Sequence, residues 1–178
     1  MTIAWCGAVV LNERWVITAA HCAQGLKTEN LVVRYGSHNV YDSTEASPIQ
    51  ERQAIDIVFH PEFDQLSKGH DIALIKVNEP VKFDNFVTPI CLPGLYVGNL
   101  IGAKAIVSGW GKGESDEDFP MVLQKGDSGG PLQVRGDDGR WFLAGVTSSG
   151  FKCAKPNLPG LYTRASLYVP WILEHIKQ

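Results

Sequence analysis

Apolar residues along this chain come mostly in short runs set between turn-forming residues. Gly7–Leu11 and Arg14–Thr18 are rich in Val, Ile and Trp, with Asn12-Glu13 between them, which predicts a strand, a tight turn and a strand. Ala19–Cys22 reads as a short turn. Leu31–Tyr35 is the next strand, stopped by Gly36, and the polar segment Ser37–Glu51 is a surface loop. Gln53–Phe59 alternates as a strand until His60-Pro61 breaks it, because proline lacks the N–H a ladder needs. Ile72–Val77 is nearly all apolar and predicts a buried strand. Lys82–Pro93 crosses the surface, and strands follow at Lys104–Ser108, Pro131–Arg135, Trp141–Thr147 and Leu161–Arg164. Only the end changes period. Val169, Ile172, Leu173 and Ile176 recur at helical spacing, so Tyr168–Lys177 is an amphipathic helix. Many short strands with Gly/Pro punctuation and one helix make this an all-β barrel protein.

Composition adds boundaries to that picture. At 178 residues and 44% hydrophobic, the chain has room for one domain with a real core. A net charge of −3 carries no basic surplus for nucleic acid or an anionic membrane. No apolar run approaches transmembrane length. Cysteines stand at Cys6, Cys22, Cys91 and Cys153, and on counting alone three full pairings are open.

The chemistry concentrates in Gly126-Asp127-Ser128-Gly129-Gly130-Pro131. A serine among glycines, followed by proline, is poor helix and poor strand material, and reads as a sharp turn. The N–H groups of Gly126 and Ser128 can point into one small space and hold an oxyanion forming on an attacked carbonyl. A serine hydroxyl attacks well only with a base beside it, itself oriented by a third group. Thr18-Ala19-Ala20-His21-Cys22 supplies a histidine and Asp71-Ile72-Ala73-Leu74 a carboxylate.

With these motifs in the order His, Asp, Ser, the chain resembles the chymotrypsin/trypsin family of serine proteases from about Cys6 to its end. The resemblance implies a chymotrypsin-like double β-barrel with a C-terminal helix, in one peptidase domain over residues 1–178. The N-terminal barrel would take about 1–88, an incomplete C-terminal barrel about 89–167, and the helix 168–178. It implies a serine endopeptidase in which Ser128 is the nucleophile, His21 the base and then the acid, and Asp71 the orienting group. Gly126 and Ser128 would form the oxyanion hole. Ser148, Ser149, Gly150 and Gly160 would wall the substrate pocket, although the family usually has Trp where Ser149 stands. It also implies a Cys6–Cys22 disulfide, protein or peptide substrates, serine protease inhibitors as further partners, and a secreted, extracellular location. Met1–Leu11 is read as the strand leading to His21 and not as a targeting segment, with any signal and pro-segment lying upstream.

No cofactor is expected. In relatives the loop after Gly36 can bind calcium, but Ser37 stands where an acidic ligand is expected, and Glu45 and Glu51 do not make a six-oxygen site. His38, His60, His70 and His175 have no partners at metal-ligand spacing and are read as structural or solvated, so no metal site is expected.

Departures from the family pattern limit the expected activity. From Asp71 to Ser128 is 57 positions, against roughly 90 in the family template. The shortfall falls at a seam between Lys125 and Gly126, where about 35 residues of the pattern are absent. The residue six before Ser128, the family's pocket floor, is Val122, whose neighbours belong to another part of the pattern. Gln124 stands where Cys153 would find its mate. Cys91 resembles a cysteine that ties the domain to a pro-segment or the C-terminal region, and it too has no evident partner. A barrel short of strands leaves edges unpaired. No Ile-Val-Gly-Gly stretch supplies a new amino terminus to pair with Asp127, the activation-pocket carboxylate. A zymogen-like state is therefore expected. The alternatives are a non-catalytic homologue acting as a binding or regulatory module, and an inactive splice variant or fragment.

Overall fold

A computed structural model of the chain describes residues 6–39, 48–94, 98, 100–110, 128–150 and 160–177. Among these residues nine strands form two antiparallel sheets, as the all-β reading anticipates. The first sheet contains β1 (Val9–Val10), β2 (Trp15–Thr18), β3 (Val32–Tyr35), β4 (Gln50–Phe59) and β5 (Ala73–Val77), in the order β1-β2-β5-β4-β3. The second contains β6 (Ala105–Val107), β7 (Pro131–Arg135), β8 (Trp141–Gly150) and β9 (Gly160–Arg164), in chain order.

β2 shows why its sequence is apolar at successive positions. All four of its residues are buried, because the strand is covered on both faces. Val16 points into a core with Val33, Tyr35, Ala54, Ile75 and Val77, enclosed by the first sheet. Trp15 and Ile17 point the other way, into a core with Ile72, Leu74, Leu143, Val146 and Ile172. That second core joins the two sheets and the C-terminal helix. β5 repeats the division, with Leu74 on one side and Ile75 on the other.

The first sheet curls through β4. Gln50–Gln53 of this strand pair with β3, and Ala54–Phe59 pair with β5, with a register shift between Ala54 and Asp56. An extra residue at such a shift bends the strand and increases its twist. One long strand thereby turns the corner from one neighbour to the next.

The turn expected over Ala19–Cys22 is one helical turn, α1 (Ala20–Ala23). The C-terminal helix α2 covers Val169–His175, shorter at both ends than its apolar period suggests, with Pro170 in its first turn. Val169 and Ile172 are buried and Ile176 packs against the joint core. Leu173 is 39% exposed, so the buried stripe is narrower than the periodicity implies. The outer strands of the second sheet, β6 and β9, each have one strand neighbour among the described residues. β6 is three residues long and largely exposed. No helix among the described residues is long and apolar enough to cross a membrane.

Candidate active site

β2 ends at Thr18 and the chain turns at once into α1, whose Ala20 and Ala23 are almost fully buried. Small side chains let this single turn sit close to the sheet, and His21 emerges from it with 21% of its side chain exposed. Asp71 arrives from the opposite direction. His70 and Lys68 before it have φ of 50° and 56°, in the left-handed region, and they turn the chain sharply into β5. The Asp71 side chain is completely buried.

Every oxygen of Asp71 has a partner. Oδ1 accepts the His21 backbone N–H at 2.9 Å, and Oδ2 pairs with His21 Nδ1 at 2.8 Å. Ser148 Oγ, from β8, donates a second hydrogen bond to Oδ2. Thr163 Oγ1, from β9, donates to the Asp71 carbonyl at 2.9 Å. The first sheet therefore supplies the carboxylate and the second sheet anchors it. Burial pushes the Asp71 pKa upward. Hydrogen bonds from the His21 ring, Ser148 and the His21 N–H, with the His21 charge, outweigh that and hold it below the usual carboxylate value. An ionised Asp71 at Nδ1 fixes the tautomer that leaves Nε2 as the basic nitrogen.

The Ser128 turn packs beside Gly7, the end of β2 and β8. Gly7 N–H donates to the Ser128 carbonyl at 2.9 Å, and Thr18 Oγ1 donates to the Gly7 carbonyl at 2.8 Å. Gly129 N–H donates to Thr147 O at 2.7 Å, and Thr147 N–H to Gly130 O at 2.9 Å, which ties the turn to β8. Gly129 has φ of 77°, and a Cβ there would overlap the Gly7 carbonyl oxygen and Thr18 Oγ1. Glycine is thus required twice over, by conformation and by space. The Cys6–Cys22 disulfide, present as the resemblance implied, clamps Gly7 beside α1. His21 Nε2 faces Cys22 Sγ at 3.6 Å. Among the described residues, Ser128 Oγ has no hydrogen-bond partner.

β8 and β9 carry Ser148, Ser149, Gly150 and Gly160 on neighbouring strands, with Ser149 opposite Leu161 and Gly150 opposite Gly160. Ser148 is buried and turned to Asp71, a role the sequence did not reveal. A register shift between Thr147 and Ser149 breaks the alternation there, so strand parity could not tell which serine faces inward. Gly126, Asp127, Val122, Gln124, Cys153 and Glu45 lie outside the described residues. Cys91 is an exposed free thiol. Glu51, weighed above as a calcium ligand, is paired with Arg34 at 2.8 Å.

His60 and His70, read above as structural or solvated for want of partners at metal-ligand spacing, are brought together by the fold. Ten positions apart in sequence, their rings stack with centroids 4.8 Å apart, and Glu62 lies beside them. The chain between them folds back through the Asp64–Gly69 bridge, which no local spacing rule would show.

Comparison with known proteins gives a family. The family model described as Trypsin matches residues 2–125 and 122–172, two stretches that meet beside the Lys125–Gly126 junction. "Serine proteinase stubble" of Drosophila melanogaster is 36% identical over 214 positions, covering 97% of this chain and 27% of that protein. "Suppressor of tumorigenicity 14 protein homolog" of Bos taurus is 31% identical over 217 positions, covering 96% of this chain and 25% of its own length. "Transmembrane protease serine 11G" of Mus musculus is 30% identical, with 94% and 48% covered. The chain thus spans between about a quarter and a half of these relatives. The first alignment is longer than this 178-residue chain, so its excess positions are residues the relative has and this chain lacks.

Proposed function

Because the chain belongs to the trypsin family of serine proteases, we propose that it is a serine endopeptidase acting on proteins or peptides through Ser128, His21 and Asp71. The observation that carries this reading is the grip of a fully buried Asp71 on both the ring and the backbone of His21. A carboxylate so placed does not itself take the proton. It holds Nδ1–H, leaves Nε2 to accept the Ser128 proton, and stabilises the imidazolium that forms. The Ser128 oxygen then attacks the peptide carbonyl, and the N–H groups of Gly126 and Ser128 receive the oxyanion. His21 returns its proton to the leaving amine, which departs. Water, deprotonated by the same nitrogen, cleaves the acyl-enzyme and restores Ser128.

Asp127 is assigned to the activation pocket, and Ser148, Ser149, Gly150 and Gly160 to the wall of the substrate pocket. One peptidase domain over 1–178 accommodates these assignments, with barrels over about 1–88 and 89–167. Serine protease inhibitors that mimic a peptide substrate are further partners. The Cys6–Cys22 disulfide supports an oxidising, extracellular or lumenal setting, since cytosolic thiols are kept reduced.

Labelling with a fluorophosphonate, which reacts only with an activated serine, tests the reading on the folded chain and on Ser128→Ala. Labelling is expected on the chain, slowed as a zymogen-like oxyanion turn implies, and absent from the variant. A folded chain that takes up no label, or a variant that labels equally, would refute it.

A further inference from the structure

One cluster of metal-ligating groups stands apart from His21 and the disulfide sulfurs. His60 follows β4, Glu62 lies in the next turn, and His70 immediately precedes Asp71. Their ligand atoms all lie within 4.8 Å of one another. The loop that joins them is closed by the Asp64–Gly69 bridge, and Asp64 accepts from Leu66 N–H at 2.9 Å and Ser67 Oγ at 2.7 Å. Tyr168 Oη meets His70 Nδ1 at 3.0 Å, which directs His70 Nε2 towards Glu62 Oε2, 3.9 Å away. A second partner on Nδ1 that fixes the ring and its tautomer is the usual support for a ligating histidine. Tyr168 and Trp171 set their rings against His60 with centroids 5.1 and 5.3 Å away, so the site is backed by the segment that enters α2.

We propose that His60, Glu62 and His70 form a binding site for a divalent transition-metal ion of the zinc type. Two imidazoles and one carboxylate, with the solvent side open, suit Zn²⁺ carrying a water as its fourth ligand. The same set offers too few oxygens for calcium or magnesium. Ligand bonds of about 2.0–2.2 Å require the three atoms to draw together. The two rings, now within 8° of parallel, must tilt towards the ion. Glu62 and His70 have 72% and 42% of their side chains exposed, which leaves them room to move. Glu62 N–H now donates to His60 Nδ1 at 3.3 Å. Ligation through His60 Nε2 puts that ring's proton on Nδ1, so the Glu62 N–H must swing away from it as the turn draws in. A bound ion would join both ends of the loop that delivers Asp71.

The test is Zn²⁺ calorimetry and Co²⁺ absorption on the full chain, with Glu62→Gln, His70→Gln and, as a control, His175→Gln. One ion per chain is expected. The Co²⁺ spectrum should show ligand-field bands without a thiolate charge-transfer band. Affinity should fall at least about 10-fold in Glu62→Gln and His70→Gln and stay unchanged in His175→Gln. Glu62 is exposed enough that its variant will fold even if the His70 variant does not. Absence of binding, binding that Glu62→Gln leaves intact, or a thiolate band that assigns the ion to cysteine would each overturn the proposal.

Discussion

Ser148→Ala removes, among the described residues, the one side chain of the second sheet that hydrogen-bonds the Asp71 carboxylate. Ser148 is 6% exposed and Asp71 is fully buried, so water cannot readily replace the lost donor. A hydrogen bond to a charged group contributes about 1.5–3 kcal/mol. Oδ2 keeps its bond to His21 Nδ1, and Oδ1 keeps the His21 N–H, which argues for about 1.5–2 kcal/mol at neutral pH. The effect must depend on pH. The folded pKa of Asp71 lies below its ordinary value, so its contribution is complete above the unfolded pKa, about 3.9. That contribution is lost as pH falls through the folded value. Without Ser148 the folded pKa rises, and acid unfolding begins at higher pH. Urea unfolding of the chain and of Ser148→Ala, from pH 7 down to pH 3, measures both effects. The gap between the two proteins should narrow towards acid. An equal gap at every pH would mean that Ser148 acts by packing alone, and no gap at pH 7 would discard the anchoring role.

Three further changes probe other parts of the site and core. Gly129→Ala forces a side chain into left-handed backbone and against Gly7 and Thr18, so a loss of about 2–5 kcal/mol is expected in denaturant, together with loss of fluorophosphonate labelling. Tyr35 is buried and its hydroxyl has no partner among the described residues. Burial, opposed by Arg52, raises its pKa to about 12. Tyr35→Phe should stabilise the chain by about 1 kcal/mol, visible as a higher urea midpoint; a lower midpoint would show that the hydroxyl is satisfied. Replacing Cys6 and Cys22 together by serine opens a loop with a sequence separation of 16. A loss of about 3 kcal/mol is expected, and unchanged thermal unfolding would contradict the clamp on Gly7.

The strands were legible because their burial is local information. Trp15–Ile17 and Ala73–Ile75 are apolar at successive positions since each is covered on both faces, and that condition is written residue by residue. The histidine and serine motifs stand out for the same reason, because a glycine-bound serine turn and a histidine beside a cysteine depend on neighbours in the chain. Other features rest on residues far apart. Ser148 meets Asp71 from 77 positions away, and a bulge hides which face of β8 it occupies. His60 and His70 look unrelated until the intervening loop closes and brings their rings into a stack. Leu173 fits the helical period yet stays exposed, because a single short helix lays down a narrower face than its pattern offers. Periodicity reports how much apolar surface an element carries. Which part is covered, and which polar groups meet across sheets, follows only from how the two sheets dock.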